Sequence, residues 1–279
     1  MSKYVVAVVG ATGVVGTEII KVLQERKLPV KTLVPLASKR SLGTSVEFNG
    51  KDIDVEVLSD TSFKGVDFAL FSAGGSISKE YVPIAVRSGA IAIDNTSYFR
   101  MDPDVPLIVP EINAKEIGDH KIIANPNCST AQMVLALKPI HDKVGIERVV
   151  ISTYQSVSGA GKNAMDELEN QSRTNLKGGR HDPKYFPHHI AFNVIPHIGP
   201  FLENGYTEEE MKLINETRKI LGDDTIRISA TAVRVPVFVG HSESVNIQTK
   251  KKISVEEVRK LLDKMPGVTV KDNVAQNES

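Results

Sequence analysis

The feature that most constrains the fold is a set of three glycines that directly follows a short apolar run. Residues 4–9 read Tyr-Val-Val-Ala-Val-Val, a pattern typical of a parallel strand buried on both faces. Gly10, Gly13 and Gly16 come next, and an apolar helix pattern that includes Ile20 follows. This strand–turn–helix order predicts a dinucleotide site, because small residues let the backbone approach a pyrophosphate that the helix N-terminus binds. The spacing differs from the usual Gly-x-Gly-x-x-Gly, so the prediction depends on that context.

Apolar runs that alternate with helical candidates continue the pattern. Further strands are predicted at 30–36, 53–58, 67–71, 91–93 and 107–109. This alternation indicates an α/β fold with a Rossmann-like doubly wound parallel sheet. Later in the chain, strands are predicted at 148–157, 225–235 and 243–252, with helices near 162–171 and 207–221. We therefore expect two domains, residues 1–127 and 128–279, the second an α+β domain with a mixed, largely antiparallel sheet.

The composition argues against several classes of function. The chain has 34 Lys and Arg against 34 Asp and Glu, which offers no electrostatic case for binding nucleic acid or an anionic membrane. Its single cysteine excludes an intrachain disulfide and fits a reducing compartment, so a cytoplasmic protein is expected. No stretch approaches the roughly 20 apolar residues of a membrane span. His181, His188 and His189 lack carboxylate or cysteine ligand spacing, so no metal site is predicted.

The loop after the predicted second strand indicates which dinucleotide is bound. NAD sites usually carry an acid about 20 residues past the glycines, which binds the ribose 2′-hydroxyl. Residues 36–43 contain no acid but include two bases and two serines. Such a loop suits a 2′-phosphate, so NADP is predicted; the alternative is an ordinary solvated basic loop. The predicted cofactor residues, from this loop and three glycine-containing turns, are Gly10, Ala11, Thr12, Gly13, Val14, Val15, Gly16, Ser38, Arg40, Ser41, Ser72, Gly74, Ser158, Gly159 and Gly161.

Cys128 is the candidate nucleophile because of the segment in which it lies. Pro126 ends an apolar strand just before it, and Ser129 and Thr130 suit the first turn of a helix. At a helix N-terminus, unpaired backbone N–H groups and the helix dipole favour the thiolate, which is the form that nucleophilic catalysis requires. The alternative is a small buried hydrophobic residue.

Three other residues are candidates, each with a structural alternative. His241 is a candidate acid/base if it lies near the thiolate, and otherwise a core histidine on a strand. Arg234 lies in a run of valines, where a buried guanidinium needs an anion; the alternative is a surface charge. Arg100 follows an unusually polar strand end and is a candidate for binding phosphate or carboxylate.

A predicted helix that begins after Thr207 carries a cluster of charged residues. Thr207 and Glu210 have the spacing of a capping box, which indicates a structural role for Glu210. Glu209 and Lys212 lie three residues apart on one helix face, a spacing typical of a surface ion pair.

Together these segments resemble the aspartate-β-semialdehyde dehydrogenase family. The resemblance covers nearly the whole chain, and the combination of segments is specific although no single segment is. The matching segments are Gly-Ala-Thr-Gly-Val-Val-Gly at 10–16, Pro-Asn-Cys-Ser-Thr at 126–130, Tyr-Gln-Ser-Val-Ser-Gly-Ala-Gly at 154–161, Glu-Glu-Met-Lys at 209–212 and Arg-Val-Pro-Val-Phe-Val-Gly-His at 234–241.

The resemblance implies a role for each candidate residue. The implied catalytic residues are Cys128 as nucleophile, Gln155 as the residue that orients the substrate and His241 as acid/base. The implied substrate contacts are Arg234 at the α-carboxylate, Glu209 at the α-amino group with Glu208 as the alternative, and Arg100, Lys212 and Asn127 at the phosphate. The resemblance also implies a 2′-phosphate on Ser38, Arg40 and Ser41, and a homodimer formed through the second, catalytic domain.

The implied reaction is the NADPH-dependent reduction of L-aspartyl 4-phosphate to L-aspartate 4-semialdehyde. It belongs to the pathway to lysine, methionine, threonine and, in bacteria, diaminopimelate. Attack of a thiolate on the acyl phosphate, loss of phosphate and hydride reduction of the thioester are consistent with these residues. The substrate has two anionic groups, which match the basic residues Arg100, Lys212 and Arg234. Its one ammonium group matches the acid Glu209.

Three alternatives stay open. N-acetyl-γ-glutamyl-phosphate reductase shares the fold and the cysteine–histidine chemistry, but its substrate has no free ammonium group for Glu209. A glyceraldehyde-phosphate-type dehydrogenase would have an acid after the glycine turn. The third is a non-catalytic NADP-binding paralogue. Because family members continue for several dozen residues past the position of Ser279, we expect a fragment or truncated product without the C-terminal return to the first domain.

Overall fold

The computed structural model describes residues 3–276. The first half of the chain contains β1 (Tyr4–Val9), α1 (Val14–Glu25), β2 (Val30–Ala37), β3 (Ser45–Phe48), β4 (Lys51–Asp54), β5 (Glu56–Val57), β6 (Phe68–Phe71), α2 (Gly75–Arg87), β7 (Ile91–Asp94), α3 (Pro110–Asn113) and β8 (Ile122–Ala124). The second half contains α4 (Cys128–Val144), β9 (Ile146–Gln155), α5 (Lys162–Leu176), α6 (Glu208–Leu221), β10 (Arg227–Arg234), β11 (His241–Thr249) and α7 (Val255–Asp263). Within residues 3–276, no helix combines the length and the apolar composition that crossing a membrane requires.

Contacts between residues divide the chain into two compact units. The first consists of the chain up to Ile108, Lys115–Pro126 and Val157–Ala191, and the second consists of Val109–Ala114, Asn127–Ser156 and the chain from Phe192 onward. This division differs from the predicted boundary between residues 127 and 128 chiefly at 157–191, which includes α5. Periodicity in the sequence identifies α5 as a helix, but it does not indicate which elements that helix contacts.

The first unit is built on a six-stranded sheet with the strand order β5-β2-β1-β6-β7-β8. Every neighbouring pair is parallel, which confirms the predicted Rossmann-like sheet. Val6 and Val8 in β1 are fully buried, as the apolar run predicted. Strand β1 lies between β2 and β6, so the chain builds the sheet outward from β1 first on one side and then on the other. Open α/β sheets bind ligands at the carboxyl ends of the strands at such a switch point.

Two predicted strands of the first unit were wrong, one because no strand forms there and the other in its extent. Residues 107–109 are not a strand, since Leu107 forms only an isolated bridge with Ala124 in β8. Pro106 and Pro110 flank this segment, and proline lacks the N–H that a strand ladder needs. The run predicted at 53–58 is split: β4 pairs with β3 in an antiparallel hairpin, and only the two residues of β5 join the main sheet.

The second unit contains a three-stranded sheet with the order β10-β9-β11. Strand β9 pairs in parallel with β10 and antiparallel with β11. The sheet is mixed, as predicted, but it is evenly mixed and not largely antiparallel. The long connection from β9 to β10 explains the parallel pair, because a parallel partner requires a crossover of a dozen or more residues.

Helices α4 and α6 form the core of the second unit with β9. Met133 and Leu137 of α4, Leu213 of α6 and Ile151 of β9 belong to one buried cluster. Side chains alternate between the two faces of a strand, so residues 149, 151, 153 and 155 of β9 share the face that carries this core. Gln155, at the end of that face, is only 1% exposed.

Candidate active site

Three of the predicted site residues lie side by side at one end of the second sheet. Gln155 is the last residue of β9, and its partners in register are Arg234, the last residue of β10, and His241, the first residue of β11. Neighbouring strands lie about 4.8 Å apart. The strand register therefore makes neighbours of three polar side chains that are distant in the sequence.

Cys128 lies within reach of this row. It is the first residue of α4 and is exposed, so it is not the buried hydrophobic residue of the alternative interpretation. His241 Nε2 lies 3.2 Å from Cys128 Sγ. Burial lowers the pKa of His241 and the charge of Arg234 lowers it further, although the Gly240 backbone and the Glu209 carboxylate act in the opposite direction. A neutral imidazole beside a cysteine at a helix N-terminus can serve nucleophilic catalysis.

Asn127 caps the helix that begins at the cysteine. Its Oδ1 accepts hydrogen bonds from the backbone N–H groups of Ser129 at 3.0 Å and Thr130 at 3.3 Å. Its own backbone N–H donates to Glu216 at 2.6 Å, and its Nδ2 donates to Glu209 at 2.8 Å. Two carboxylates of α6 therefore fix the turn that precedes the candidate nucleophile.

Glu209 is a buried carboxylate surrounded by donors. Its Oε1 accepts from Asn127 and from Gln155 Nε2 at 3.1 Å, and its Oε2 accepts from Lys212 Nζ at 3.0 Å. Burial alone raises the pKa of Glu209, but the charge of Lys212 and these hydrogen bonds outweigh burial and lower it. The pair with Lys212 is thus part of a buried polar network and not the surface ion pair that its spacing suggested.

Ser156, which was not among the predicted site residues, connects His241 with Arg234. Arg234 is 6% exposed and its Nη1 donates to the Ser156 carbonyl at 2.6 Å. The Ser156 N–H donates to His241 Nδ1 at 3.0 Å. The sequence does carry a signal for Ser156, because it directly follows Gln155 within the segment 154–161 that resembles the family.

Two further acids, one buried and one half-buried, lie in this unit and were not predicted. Glu216 is 1% exposed and binds the Asn127 N–H. Glu243 lies two residues after His241 on β11, where burial raises its pKa to about 7 despite a partial offset from Gln132 and Ser129. Glu243 also lines a mainly apolar cavity of about 720 Å³. Strand alternation places Glu243 and His241 on one face, a signal that could have drawn attention to Glu243.

The glycine turn of the first unit lines a separate cavity of about 470 Å³. A Cβ on Gly16 would lie 2.0 Å from the Gly10 carbonyl oxygen, so only glycine allows this close approach of turn and helix. The hydroxyls of Thr12 and Ser41, which both line the cavity, form a hydrogen bond of 3.0 Å. Small residues, hydroxyls and one guanidinium fit an anionic dinucleotide. The cavity residues are Gly10, Thr12, Gly13, Ala37, Ser38, Arg40, Ser41, Ser72 and Ala73.

The remaining predicted cofactor residues lie in turns or at helix starts of the first unit. Gly74 and Gly161, with φ of 97° and 88°, directly precede α2 and α5. Ser158 and Gly159 lie in a short 3-10 turn before α5. Ala11, Val14 and Val15 belong to the glycine turn and the start of α1, outside the residues that line the cavity.

The second unit brings together all residues predicted for catalysis or substrate binding except Arg100. That set is Cys128, His241, Gln155, Asn127, Glu209, Lys212 and Arg234. Arg100 belongs to the first unit, where its Nη2 donates to the Asn95 carbonyl at 2.8 Å. Among residues 3–276, no group of three or more His, Cys, Asp or Glu side chains is arranged to hold a metal ion.

Comparison with known proteins gives matches along the whole chain. Residues 5–120 match the family model for the NAD binding domain of semialdehyde dehydrogenase, and residues 137–278 match the model for its dimerisation domain. Aspartate-semialdehyde dehydrogenase of Aquifex aeolicus is 57% identical over 281 residues, covering 99% of this chain and 82% of that protein. The Bacillus subtilis enzyme of that name is 50% identical, covering 97% of this chain and 81% of its own.

Solved structures give the same result. The crystal structure of aspartate semialdehyde dehydrogenase II from Vibrio cholerae complexed with ASA matches with a TM-score of 0.93 and 49% identity, covering 96% of this chain and 80% of that one. Aspartate semialdehyde dehydrogenase with NADP from Candida albicans matches with a TM-score of 0.71 and 26% identity, covering 93% and 76%.

These matches and the fold define the class of protein. It is an oxidoreductase with an NAD(P)-binding domain and a semialdehyde dehydrogenase dimerisation domain. The chain belongs to the aspartate-semialdehyde dehydrogenase family.

Proposed function

We propose that the chain catalyses the NADPH-dependent reductive dephosphorylation of L-aspartyl 4-phosphate to L-aspartate 4-semialdehyde. The observation that carries this proposal is the 3.2 Å approach of His241 Nε2 to Cys128 Sγ at the N-terminus of α4. A thiolate there attacks the acyl carbon, so that a carbon–sulfur bond forms, the carbon–oxygen bond to phosphate breaks and phosphate leaves. When bound, NADPH supplies the hydride that reduces the resulting thioester. His241 assists the release of the aldehyde and the return of Cys128 to the thiolate.

The polar groups around the cysteine support an amino-acid substrate. Arg234 binds the α-carboxylate, for which a planar guanidinium offers two parallel donors. Glu209, which carries a fixed negative charge, binds the α-ammonium group. Gln155, which donates to Glu209 at 3.1 Å, orients the substrate between them. Lys212 and Asn127 bind the phosphate, and Arg100 of the first unit is assigned to phosphate by the family resemblance alone.

NADP is the proposed cofactor in preference to NAD. Ser38, Arg40 and Ser41 line the cavity beside the glycine turn. They offer hydroxyls and a cation where a site that prefers NAD carries an acid for the ribose 2′-hydroxyl. Ser158, Gly159 and Gly161 are proposed to contact the nicotinamide end, since a glycine turn lets the backbone approach a flat ring.

The two halves of the chain divide this work. Residues 1–127 are proposed to bind the cofactor, apart from the contacts of Ser158, Gly159 and Gly161 with its nicotinamide end. Residues 128–279 are proposed to carry catalysis and form a homodimer. The match of residues 137–278 to a dimerisation domain supports the second assignment. The proposed reaction belongs to the biosynthesis of lysine, methionine, threonine and diaminopimelate.

A spectrophotometric assay at 340 nm tests the proposal. The purified chain is supplied with phosphate and either L-aspartate 4-semialdehyde or N-acetyl-L-glutamate 5-semialdehyde, and the formation of NADPH and NADH is compared. We expect turnover of the free-amine substrate with NADP. Preference for the N-acetylated aldehyde would make the chain an N-acetyl-γ-glutamyl-phosphate reductase instead. Binding of NADP without turnover of either aldehyde would support a non-catalytic protein.

A further inference from the structure

We propose that Ser156 is a positioning residue that controls on which nitrogen His241 carries its proton. The inference rests on the proposed function, because it concerns the residue proposed to assist the thiol. Ser156 follows Gln155 at the end of β9 and is 0% exposed. Its backbone N–H and its side-chain oxygen both contact the His241 ring, and its carbonyl contacts Arg234.

The backbone N–H of Ser156 determines the neutral tautomer. A backbone N–H can only donate, so His241 Nδ1 must be unprotonated when it accepts this hydrogen at 3.0 Å. The proton of the neutral ring is then on Nε2, which lies 3.2 Å from Cys128 Sγ. His241 therefore donates a hydrogen bond to a thiolate and does not accept one from a thiol. The proton that leaves the thiol passes to solvent, to which Cys128 is exposed.

This tautomer suits the proposed chemistry. Attack of the thiolate on the acyl phosphate, and later expulsion of the thiolate from the reduced adduct, require no base at the sulfur. Each step requires a donor that stabilises negative charge on sulfur or on the adjacent oxygen. A neutral Nε2–H fixed in direction supplies such a donor.

The Ser156 hydroxyl has a different role when the ring is protonated. Its Oγ lies 3.3 Å from Nδ1. In the neutral ring the single lone pair of Nδ1 accepts the backbone N–H. In the charged ring Nδ1–H faces that backbone donor, which opposes protonation, and Oγ is the Ser156 atom near the ring that can accept a hydrogen bond from Nδ1–H. Hydrogen bonds to charged groups are roughly twice as strong as neutral ones, so the hydroxyl favours the imidazolium on balance.

Other groups around the ring act on the same equilibrium. Burial lowers the pKa of His241, the Gly240 backbone raises it, Arg234 of β10 lowers it and Glu209 of α6 raises it. The Ser156 carbonyl accepts Arg234 Nη1 at 2.6 Å, so the serine is held between the two residues. Cys128 at the start of α4 and Glu243 on β11 are further titratable groups on elements next to the ring.

Nitrogen-15 NMR of the histidine rings tests the tautomer without substrate. The His241 signals are assigned as those that disappear in His241→Asn. In the wild-type protein above the His241 titration, we expect a protonated Nε2 and an unprotonated Nδ1. A protonated Nδ1 would overturn the proposal, and this measurement requires no variant of Ser156.

Substitutions at Ser156 test the hydroxyl. Ser156→Ala keeps the N–H and removes only Oγ, and Ser156→Thr keeps both as the matched control. In Ser156→Ala we expect the same tautomer but a proton affinity of the ring about three- to tenfold lower, seen as a titration midpoint at lower pH. Alkylation of Cys128, the only cysteine, by iodoacetamide should keep its pH dependence in both variants. An unchanged or higher titration midpoint of His241 in Ser156→Ala would refute the proposed role of the hydroxyl. Loss of the Nε2-protonated tautomer in this variant would refute it as well.

The proposed function and this inference can fail separately. If the wild-type chain did not turn over either aldehyde, the enzymatic proposal would fail while the NMR result still decided the role of Ser156. If the chain is active, any limb of the kcat profile that follows the His241 titration should move with the NMR midpoint in Ser156→Ala, with KM within about twofold of wild type. A loss confined to thermal stability would mean that Ser156 is only structural.

Discussion

His241 Nε2 and Cys128 Sγ lie 3.2 Å apart although the two residues are 113 positions apart in the chain. The two side chains come from the first residue of α4 and the first residue of β11. Both elements belong to the second unit, so the pair is positioned by one hydrophobic core. The contact makes the cysteine the first residue to test.

Replacement of the thiol should abolish turnover and leave cofactor binding nearly intact. A helix N-terminus and an imidazole N–H stabilise a thiolate, but they cannot ionise a serine hydroxyl near neutral pH. Cys128→Ser should therefore reduce kcat by about a thousandfold or more. Initial rates at 340 nm and an NADPH fluorescence titration measure the two effects. A variant that kept most of its activity would rule out the covalent mechanism.

The basic loop should control the choice of cofactor. Arg40→Ala combined with Ser38→Asp removes a cation and adds an acid where the 2′-phosphate is proposed to bind. We expect the ratio of kcat/KM for NADP to that for NAD to fall by about tenfold or more, since charge-assisted contacts are worth about 1.5–3 kcal/mol. Lys39→Ala is the matched control, because Lys39 lies in the same turn but does not line the cavity. Equal use of both cofactors by the wild-type chain would contradict the assignment.

Arg234→Lys should damage catalysis as well as binding. Lysine keeps the charge but loses the planar pair of donors that suits a carboxylate, and it also loses the Nη1 contact to the Ser156 carbonyl. A misaligned head group displaces the acyl carbon from the thiolate. We expect kcat/KM to fall by roughly ten- to a hundredfold. A change in KM alone, with kcat retained, would mean that Arg234 contributes only to binding.

Glu209→Gln should act selectively on the substrate with a free amine. The substitution removes the negative charge proposed to bind the ammonium group, and kcat/KM for aspartate semialdehyde should fall by about tenfold or more. Activity on an N-acetylated analogue should be unaffected or slightly improved. Glu208→Gln is the control, because Glu208 is the exposed neighbour on the same helix. Equal losses on both substrates would exclude the ammonium contact and make Glu208 the next candidate.

Glu243 should make the stability of the fold depend on pH near neutrality. Burial raises the pKa of Glu243 to about 7, so folding favours the protonated carboxyl. The stability that protonation provides is complete below the pKa of the unfolded chain and is lost as the pH rises through about 7. Glu243→Gln mimics the neutral acid and should raise Tm at pH 8 by roughly 1–3 °C relative to wild type, with little difference at pH 5, once solvent screening is allowed for.

Thermal unfolding followed by circular dichroism between pH 5 and 8 measures this difference. Glu256→Gln on the exposed surface of α7 serves as the control for a simple change of charge. If the Tm difference between Glu243→Gln and wild type did not vary with pH, Glu243 would not titrate in this range.

Local features of the fold could be predicted from the sequence because their signals lie within a few residues. The strand at 4–9, its glycine turn and α1 form as predicted. Helix α4 begins at Cys128, where the proline and the two hydroxyl residues indicated it. Thr207 and Glu210 form the predicted capping box, since both partners of such a box lie within one helical turn.

The candidate site depends on contacts between distant parts of the chain, which only the tertiary structure decided. No local signal indicates that Gln155 is in register with both Arg234 and His241, because strand pairing depends on the packing of the whole sheet. The spacing of Glu209 and Lys212 suggested a surface pair, yet packing of α6 against α4 and the sheet buries the carboxylate among Asn127, Gln155 and Lys212. The sequence by itself determined which reactive groups are present and which elements carry them. The shared core of α4, α6 and the sheet determined which of those groups meet, because burial and register arise from the whole fold and not from neighbouring residues.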